Sequence, residues 1–291
     1  MTKDLDSISG VAEALKQVNY VADEDLATSV FLSLRMRRPL FLEGAPGVGK
    51  TEMARMLTRL LDTELIRLQC FEGLDVSQAA YEWNYSSQLL ALQSDERRLE
   101  NVFTEPFLLK RPLLSAIDSS RTRAPVLLID ELDRADEEFE SFLLELLGDF
   151  QITIPELGTL RAHHRPVVVL TSNRTREIHD ALKRRCIYHW IDYPSLQKEL
   201  EIVSRRVPGI EAHLCRQVVG FVQALRREDL MKVPGIAETV DWAEGLGHLG
   251  VAELEPHAVD RTLGLLLKVQ DDLQRIRGER AQALLNGWEA A

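Results

Sequence analysis

One stretch, Gly44-Ala45-Pro46-Gly47-Val48-Gly49-Lys50-Thr51, reads G-x-x-x-x-G-K-T and has the composition to hold a chain of phosphates. Glycines let successive backbone N–H groups converge on an anion, and a helix N-terminus behind them adds partial positive charge. Lys50 would reach β- and γ-phosphates, and the Thr51 hydroxyl would ligate Mg2+. Further on, Asp130-Glu131 closes the apolar run Val126-Leu127-Leu128-Ile129. A carboxylate there would lie at the carboxyl edge of a sheet, where α/β folds bind ligands. Asp130 would hold the Mg2+, directly or through water, and Glu131 would orient and deprotonate a water for in-line attack on the γ-phosphate. A kinase does not need a Glu directly after its metal-holding Asp, so the pair points to hydrolysis. Asn173 ends another apolar run, Val167-Val168-Val169-Leu170, where it would help to position that water. The competing reading is a turn Asn that closes a strand. Arg184-Arg185 precede a further apolar stretch, and from there an arginine could stabilise transition-state charge in a neighbouring subunit. Other dibasic pairs, Arg205-Arg206 and Arg226-Arg227, read simply as solvent-facing residues.

The elements that must carry these residues follow from periodicity. Leu40 to Glu43 reads as a strand bounded by Pro39, and Glu52 to Leu61 as the helix behind the glycine loop. Residues 8 to 37 read as two amphipathic helices. Leu65 to Leu68 reads as a second strand. Val126–Ile129 and Val167–Leu170 are continuous apolar runs, as strands buried on both faces should be. Between them, Phe139, Phe142, Leu143, Leu146 and Leu147 mark one face of a helix that would close at Gly148. Gln151–Ile154 and Leu160–Ala162 flank a turn and suggest a β-hairpin. Ile187–Ile191 reads as a last strand. For residues 74 to 118 the expectation is helices with inserted loops, including a charged helical stretch around Asp95 to Glu100. Alternating strands and helices predict a mostly parallel α/β sheet to about Pro194. Beyond it, 196–207, 214–226, 237–246 and 259–277 show helical spacing only. The expected division is thus an α/β nucleotide-binding core over residues 1–194, beginning with helices in 1–37, and a helical subdomain over 195–291.

The formal net charge of -11 in 291 residues argues against broad attachment to nucleic acid or an anionic membrane, while leaving room for a local basic patch. The three cysteines, Cys70, Cys186 and Cys215, are far apart and lack C-x-x-C spacing, which suits a reducing compartment rather than a disulfide framework or a zinc site. Neither a signal peptide nor a membrane span is evident, so a soluble cytoplasmic protein is expected.

Taken together, the glycine loop, the Asp-Glu pair, the Asn after the next strand, the arginine pair and the helical tail resemble an AAA+ ATPase. The resemblance runs from about residue 20 to the end. Within that superfamily the chain resembles the MoxR family, particularly its CoxD-like branch. Arg67-Leu68-Gln69-Cys70-Phe71-Glu72-Gly73-Leu74-Asp75, Tyr81-Glu82-Trp83-Asn84-Tyr85 and Ala181-Leu182-Lys183-Arg184-Arg185-Cys186 carry that resemblance. It implies a P-loop three-layer αβα core with an all-α lid, and a homo-oligomeric ring, a hexamer, with ATP and Mg2+ between subunits. It implies that Arg185, or failing it Arg184, acts in trans. It further implies a partner with a von Willebrand factor A domain, and a chaperone that matures or loads a metalloenzyme client such as molybdenum-containing carbon monoxide dehydrogenase. The chain departs from the wider pattern in one place: the lid stretch Val233–Trp242 contains no arginine to contact the γ-phosphate. Two rival readings are an AAA+ protein acting on nucleic acid, which the acidic balance disfavours, and a P-loop kinase acting on a small molecule.

Overall fold

A computed structural model describes residues 5–94 and 102–288. The chain divides into two compact units. The first gathers Met1–Ala14, Ala22–Glu43 and Thr51–Trp190; the second gathers Leu15–Val21, Gly44–Lys50 and Ile191–Ala291.

The first unit is built on a five-stranded sheet. Its strands are β1 (Leu40–Gly44), β2 (Leu65–Gln69), β5 (Val126–Asp130), β8 (Val167–Ser172) and β9 (Ile187–Ile191), in the order β2-β5-β8-β1-β9. Pairings β2–β5, β5–β8 and β1–β8 are parallel. Every residue of β1 and β5 is buried, which explains why both read as unbroken apolar runs rather than alternating ones. The helices are α1 (Ile8–Gln17), α2 (Glu24–Met36), α3 (Lys50–Leu61), α6 (Pro112–Ala116), α7 (Glu137–Asp149) and α8 (Asp180–Lys183). Phe41, Leu127, Ile129, Phe139, Leu143 and Leu170 are almost fully buried in one cluster. Each such side chain contributes about 1.5–3 kcal/mol by leaving water.

Two features differ from the sequence expectation. Helix α7 does not close at Gly148; it runs to Asp149 and is capped by Phe150 in the left-handed region, φ 52°. There, burial of the Phe150 ring prevails over the ordinary preference for glycine. The segment after residue 74 holds the expected helices, α4 (Val76–Ala79) and α5 (Tyr85–Ser94), but also an antiparallel ribbon of β3 (Tyr81–Trp83) and β4 (Leu108–Lys110). Three-residue strands are too short to show an alternation of period two. The charged stretch at Asp95 to Glu100 lies outside the described residues. The hairpin expected at 151–162 is present as β6 (Gln151–Ile154) paired with β7 (Gly158–Arg161).

The second unit is helical after β9: α9 (Leu196–Arg206), α10 (Ala212–Leu225), α11 (Ile236–His248), α12 (Pro256–Thr262), α13 (Gln270–Ile276) and α14 (Glu279–Trp288). The single helix expected over 259–277 is instead two, parted by a 3-10 turn at Leu263–Leu265. Leu263, Leu266 and Leu267 are all buried there, so the break turns more than one helix face inward. The core around Phe221 and Trp242 also encloses an ion pair, in which both Arg226 Nη atoms donate to the Glu199 carboxylate at 2.6 and 2.7 Å. Removing one member of so buried a pair costs about 3–5 kcal/mol. Among the described residues, no helix is long and apolar enough to cross a membrane.

Candidate nucleotide site

Parallel register brings the ends of β2, β5 and β8 level. Gln69 sits opposite Asp130, and Ile129 opposite Leu170, so Thr171 follows beside Asp130. The Asp130 carboxylate is only 2% exposed. Its Oδ1 accepts from the Thr51 hydroxyl at 3.0 Å and from the Thr171 hydroxyl at 2.6 Å. Its Oδ2 accepts from Arg67 Nε at 3.1 Å and Nη2 at 2.6 Å. The structure therefore brings together Thr51 and Asp130, the two residues expected to hold Mg2+. Their oxygen donors fit a hard cation that keeps few protein ligands and takes the rest from phosphate and water. Among the described residues, no group of three or more His, Cys, Asp or Glu could hold a metal as a cage.

Glu131 adopts φ 55°, ψ 50°, a left-handed conformation that costs a non-glycine residue about 1–2 kcal/mol. Two bonds hold it there. Its N–H donates to Thr171 Oγ1 at 2.9 Å, and its carboxylate accepts from Gln69 Nε2 at 3.0 Å. The Thr171 hydroxyl thus bonds to both residues of the Asp-Glu pair.

Asn173 follows β8 directly. Its main-chain N–H donates to Asp133 Oδ1 at 3.1 Å, while the Thr175 N–H and hydroxyl donate to Asp133 Oδ2 at 2.9 and 2.6 Å. Burial pushes the Asp133 carboxyl pKa up, but these hydrogen bonds outweigh it and hold the group below the usual carboxylate range. Asp133 is 4% exposed and anchors the Asn173 loop.

The arginine pair lies apart from these residues. Arg184 caps α8, and Arg185 donates through Nη1 to the Ala181 carbonyl at 3.0 Å. Both side chains are exposed, and neither hydrogen-bonds to Thr51, Asp130, Glu131 or Asn173.

The glycine loop, in the second unit, follows β1 and leads into α3, the strand–loop–helix order its chemistry requires. Lys50 is buried, and its Nζ donates to the carbonyls of Gly44 and Ala45 at 2.7 and 2.6 Å. Ala45, Pro46, Val48 and Gly49 complete the turn between them. Gly47 has φ +75°, and its carbonyl accepts from the Ala237 N–H at 3.1 Å. A Cβ on Gly235 would meet the Gly47 backbone at 2.8 Å, so the turn before α11 must carry a glycine there. That contact fixes position 235 as glycine, within a stretch, 233–242, that holds no arginine. Arg226 is no substitute, since its guanidinium is spent on Glu199, the Pro234 carbonyl and Thr239.

Residue types and spacing single out the loop, both acids and Asn173, of which the structure joins Thr51 to Asp130 and, through Thr171, Asp130 to Glu131. They do not single out Arg67, Gln69 and Thr171, which hydrogen-bond to those acids, or Asp133, which holds the Asn173 main chain. Three of these are polar residues near the carboxyl ends of strands, and that position was the available signal once the strand order was known.

The sequence pattern of the AAA domain (dynein-related subfamily) matches residues 39–186, just over half of the chain. Gas vesicle ATPase GvpN of Haloferax mediterranei is 24% identical over 273 residues, 88% of this chain and 76% of that one. Chaperone protein ClpB 2 of Parasynechococcus marenigrum is 32% identical over 144 residues, 47% of this chain but only 14% of that one. A solved mutant of Thermotoga maritima RuvB shares the fold, with a TM-score of 0.52 at 20% identity over 86% of this chain and 71% of that one. The chain belongs to the AAA domain family, dynein-related subfamily.

Proposed function

We propose that this chain hydrolyses ATP within a homo-oligomeric ring and uses the energy to remodel a protein client. The observation that carries the reading is the Thr51–Asp130 hydrogen bond beside a Glu131 held by Gln69 and Thr171. In this reading Gly44–Lys50 holds the phosphates and Thr51 with Asp130 holds Mg2+, which would neutralise charge on the β- and γ-phosphates. Glu131 takes the proton of the attacking water, and Gln69 fixes the Glu131 carboxylate before attack. Asn173 positions the water. Arg185, with Arg184 as the alternative, stabilises charge in the neighbouring subunit's site; the exposure of both side chains supports a role outside their own subunit.

Family membership supports ATPase activity as the kind of reaction, and relatives named as a gas vesicle ATPase and a chaperone support action on protein. The finer reading is a cytoplasmic MoxR-type chaperone of the CoxD-like branch, hexameric, working with a von Willebrand factor A domain partner on a metalloenzyme such as molybdenum-containing carbon monoxide dehydrogenase. The motifs at 67–75, 81–85 and 181–186 support it. The division into a core over 1–194 and a helical lid over 195–291 belongs to the same reading.

Mixed rings test it. Arg185→Ala and Lys50→Ala should each lose ATP turnover when alone. Mixing them should restore part of it, because some interfaces then pair an intact loop with an intact arginine. If mixed rings stay as inactive as the separate variants, Arg185 does not act in trans.

A further inference from the structure

A cavity of about 450 Å³ opens in the first unit where β1, β5 and β8 begin, the edge opposite Asp130 and Glu131. Its lining includes the buried residues Phe150, Pro166 and Val168. Its lining also carries Arg37, Arg38, Arg165, His163 and His164, and among the described residues no Asp or Glu lines it. These three arginine cations stand together in a chain of net charge -11.

One of these cations is already engaged. Arg38 donates to the Arg184 carbonyl, to the Arg185 carbonyl at 3.0 Å and to the Cys186 carbonyl at 3.3 Å. Arg37 is exposed at the left-handed cap of α2. Arg165 is exposed, with its guanidinium 5.4 Å from the centroid of the Phe150 ring. Neither has a carboxylate partner among the described residues. A guanidinium only donates, in a planar fork that matches carboxylate or phosphate, so the occupant must carry acceptors and negative charge. The helices decide between those two anions. Both α2 and α7 end at this cavity, with their caps Arg37 and Phe150 in its wall. Helix C-termini carry partial negative charge and oppose a phosphate dianion, which is favoured at N-termini instead. A singly charged carboxylate is opposed less than a dianion. The apolar part of the lining, Phe150, Pro166 and Val168, is compatible with an apolar side chain next to it.

We propose that this cavity docks an acidic peptide segment of a partner protein, with carboxylates on Arg37 and Arg165 and an apolar side chain over Phe150. The site requires no nucleotide. It is tested on the full chain without ATP, by fluorescence anisotropy of a labelled Glu-Glu-Phe-Glu-Glu peptide, with Lys-Lys-Phe-Lys-Lys as its control. The acidic peptide should bind, more weakly as salt is raised, and the basic one should not. Arg37→Gln combined with Arg165→Gln should weaken binding at least tenfold. Its unfolding midpoint and its binding of an ATP analogue should stay at the parental values, which separates failure here from failure of the ATPase reading. Arg165→Lys, keeping charge without the fork, should lose less than Arg165→Gln. Parental affinity in the double variant, or no binding of the acidic peptide, overturns the proposal. Full displacement of the peptide by millimolar inorganic phosphate also overturns it, in favour of a small-anion site.

Discussion

Replacing Thr171 with valine removes one hydroxyl and almost no volume, so it isolates what that hydroxyl does. Thr171 is 1% exposed, and valine suits a strand at least as well as threonine. The hydroxyl donates to Asp130 at 2.6 Å and accepts from the Glu131 N–H at 2.9 Å. A bond to a charged group contributes about 1.5–3 kcal/mol, and a buried N–H left without a partner costs about 1–3 kcal/mol. Asp130 keeps Thr51 and Arg67, which places its loss at the low end. The extra buried methyl returns about 0.8 kcal/mol. The net expectation for Thr171→Val is a destabilisation of about 2–3 kcal/mol. Thr171→Ser keeps the hydroxyl and loses a methyl, about 1 kcal/mol. Urea unfolding followed by circular dichroism reads both, provided that the slope m is unchanged. ATP turnover should fall further in the valine variant than in the serine one, since both carboxylates lose a common support. If valine is no more destabilising than serine, the hydroxyl does not link the two acids and the site's internal support has been misassigned.

Further expectations concern the neighbouring anchors. Because hydrogen bonds hold the Asp133 carboxyl below its ordinary range, its stabilisation is present above the unfolded pKa of about 4 and is lost as pH falls through the folded value. Thr175→Val should therefore lower the urea midpoint most at pH 7, with the gap to the parent closing below about pH 4; a gap independent of pH would exclude Asp133 as its source. Gly235→Ala places a Cβ 2.8 Å from the Gly47 backbone and must displace the phosphate loop. Affinity for a fluorescent ATP analogue should drop about tenfold, roughly 1.4 kcal/mol, and an unchanged affinity would mean that the loop relaxes freely.

Much of the fold was legible because its central strands announce themselves. Val126–Ile129 and Val168–Leu170 are buried on both faces, so their sequence is apolar throughout and no register is needed to recognise them. What stayed hidden depends on strand order. Gln69 lies far from Glu131 in sequence, and only the β2–β5 pairing makes them neighbours. Thr171 likewise becomes a bridge only once β8 is placed beside β5. Nothing in the sequence marks Asp133, because its partners are main-chain N–H groups of Asn173 and Thr175, some forty residues on. The missing arginine of 233–242 was visible as an absence, while the close approach of Gly235 to the Gly47 backbone was not.

Glu131→Gln tests the central claim most directly. The substitution keeps the size of the side chain and its acceptor for Gln69, and removes only the base. The assay measures equilibrium binding of ATP-Mg and steady-state release of phosphate on the same preparation. The account predicts binding at the parental affinity with turnover reduced at least a hundredfold, the range general-base loss gives. Phosphate release at the parental rate would contradict it.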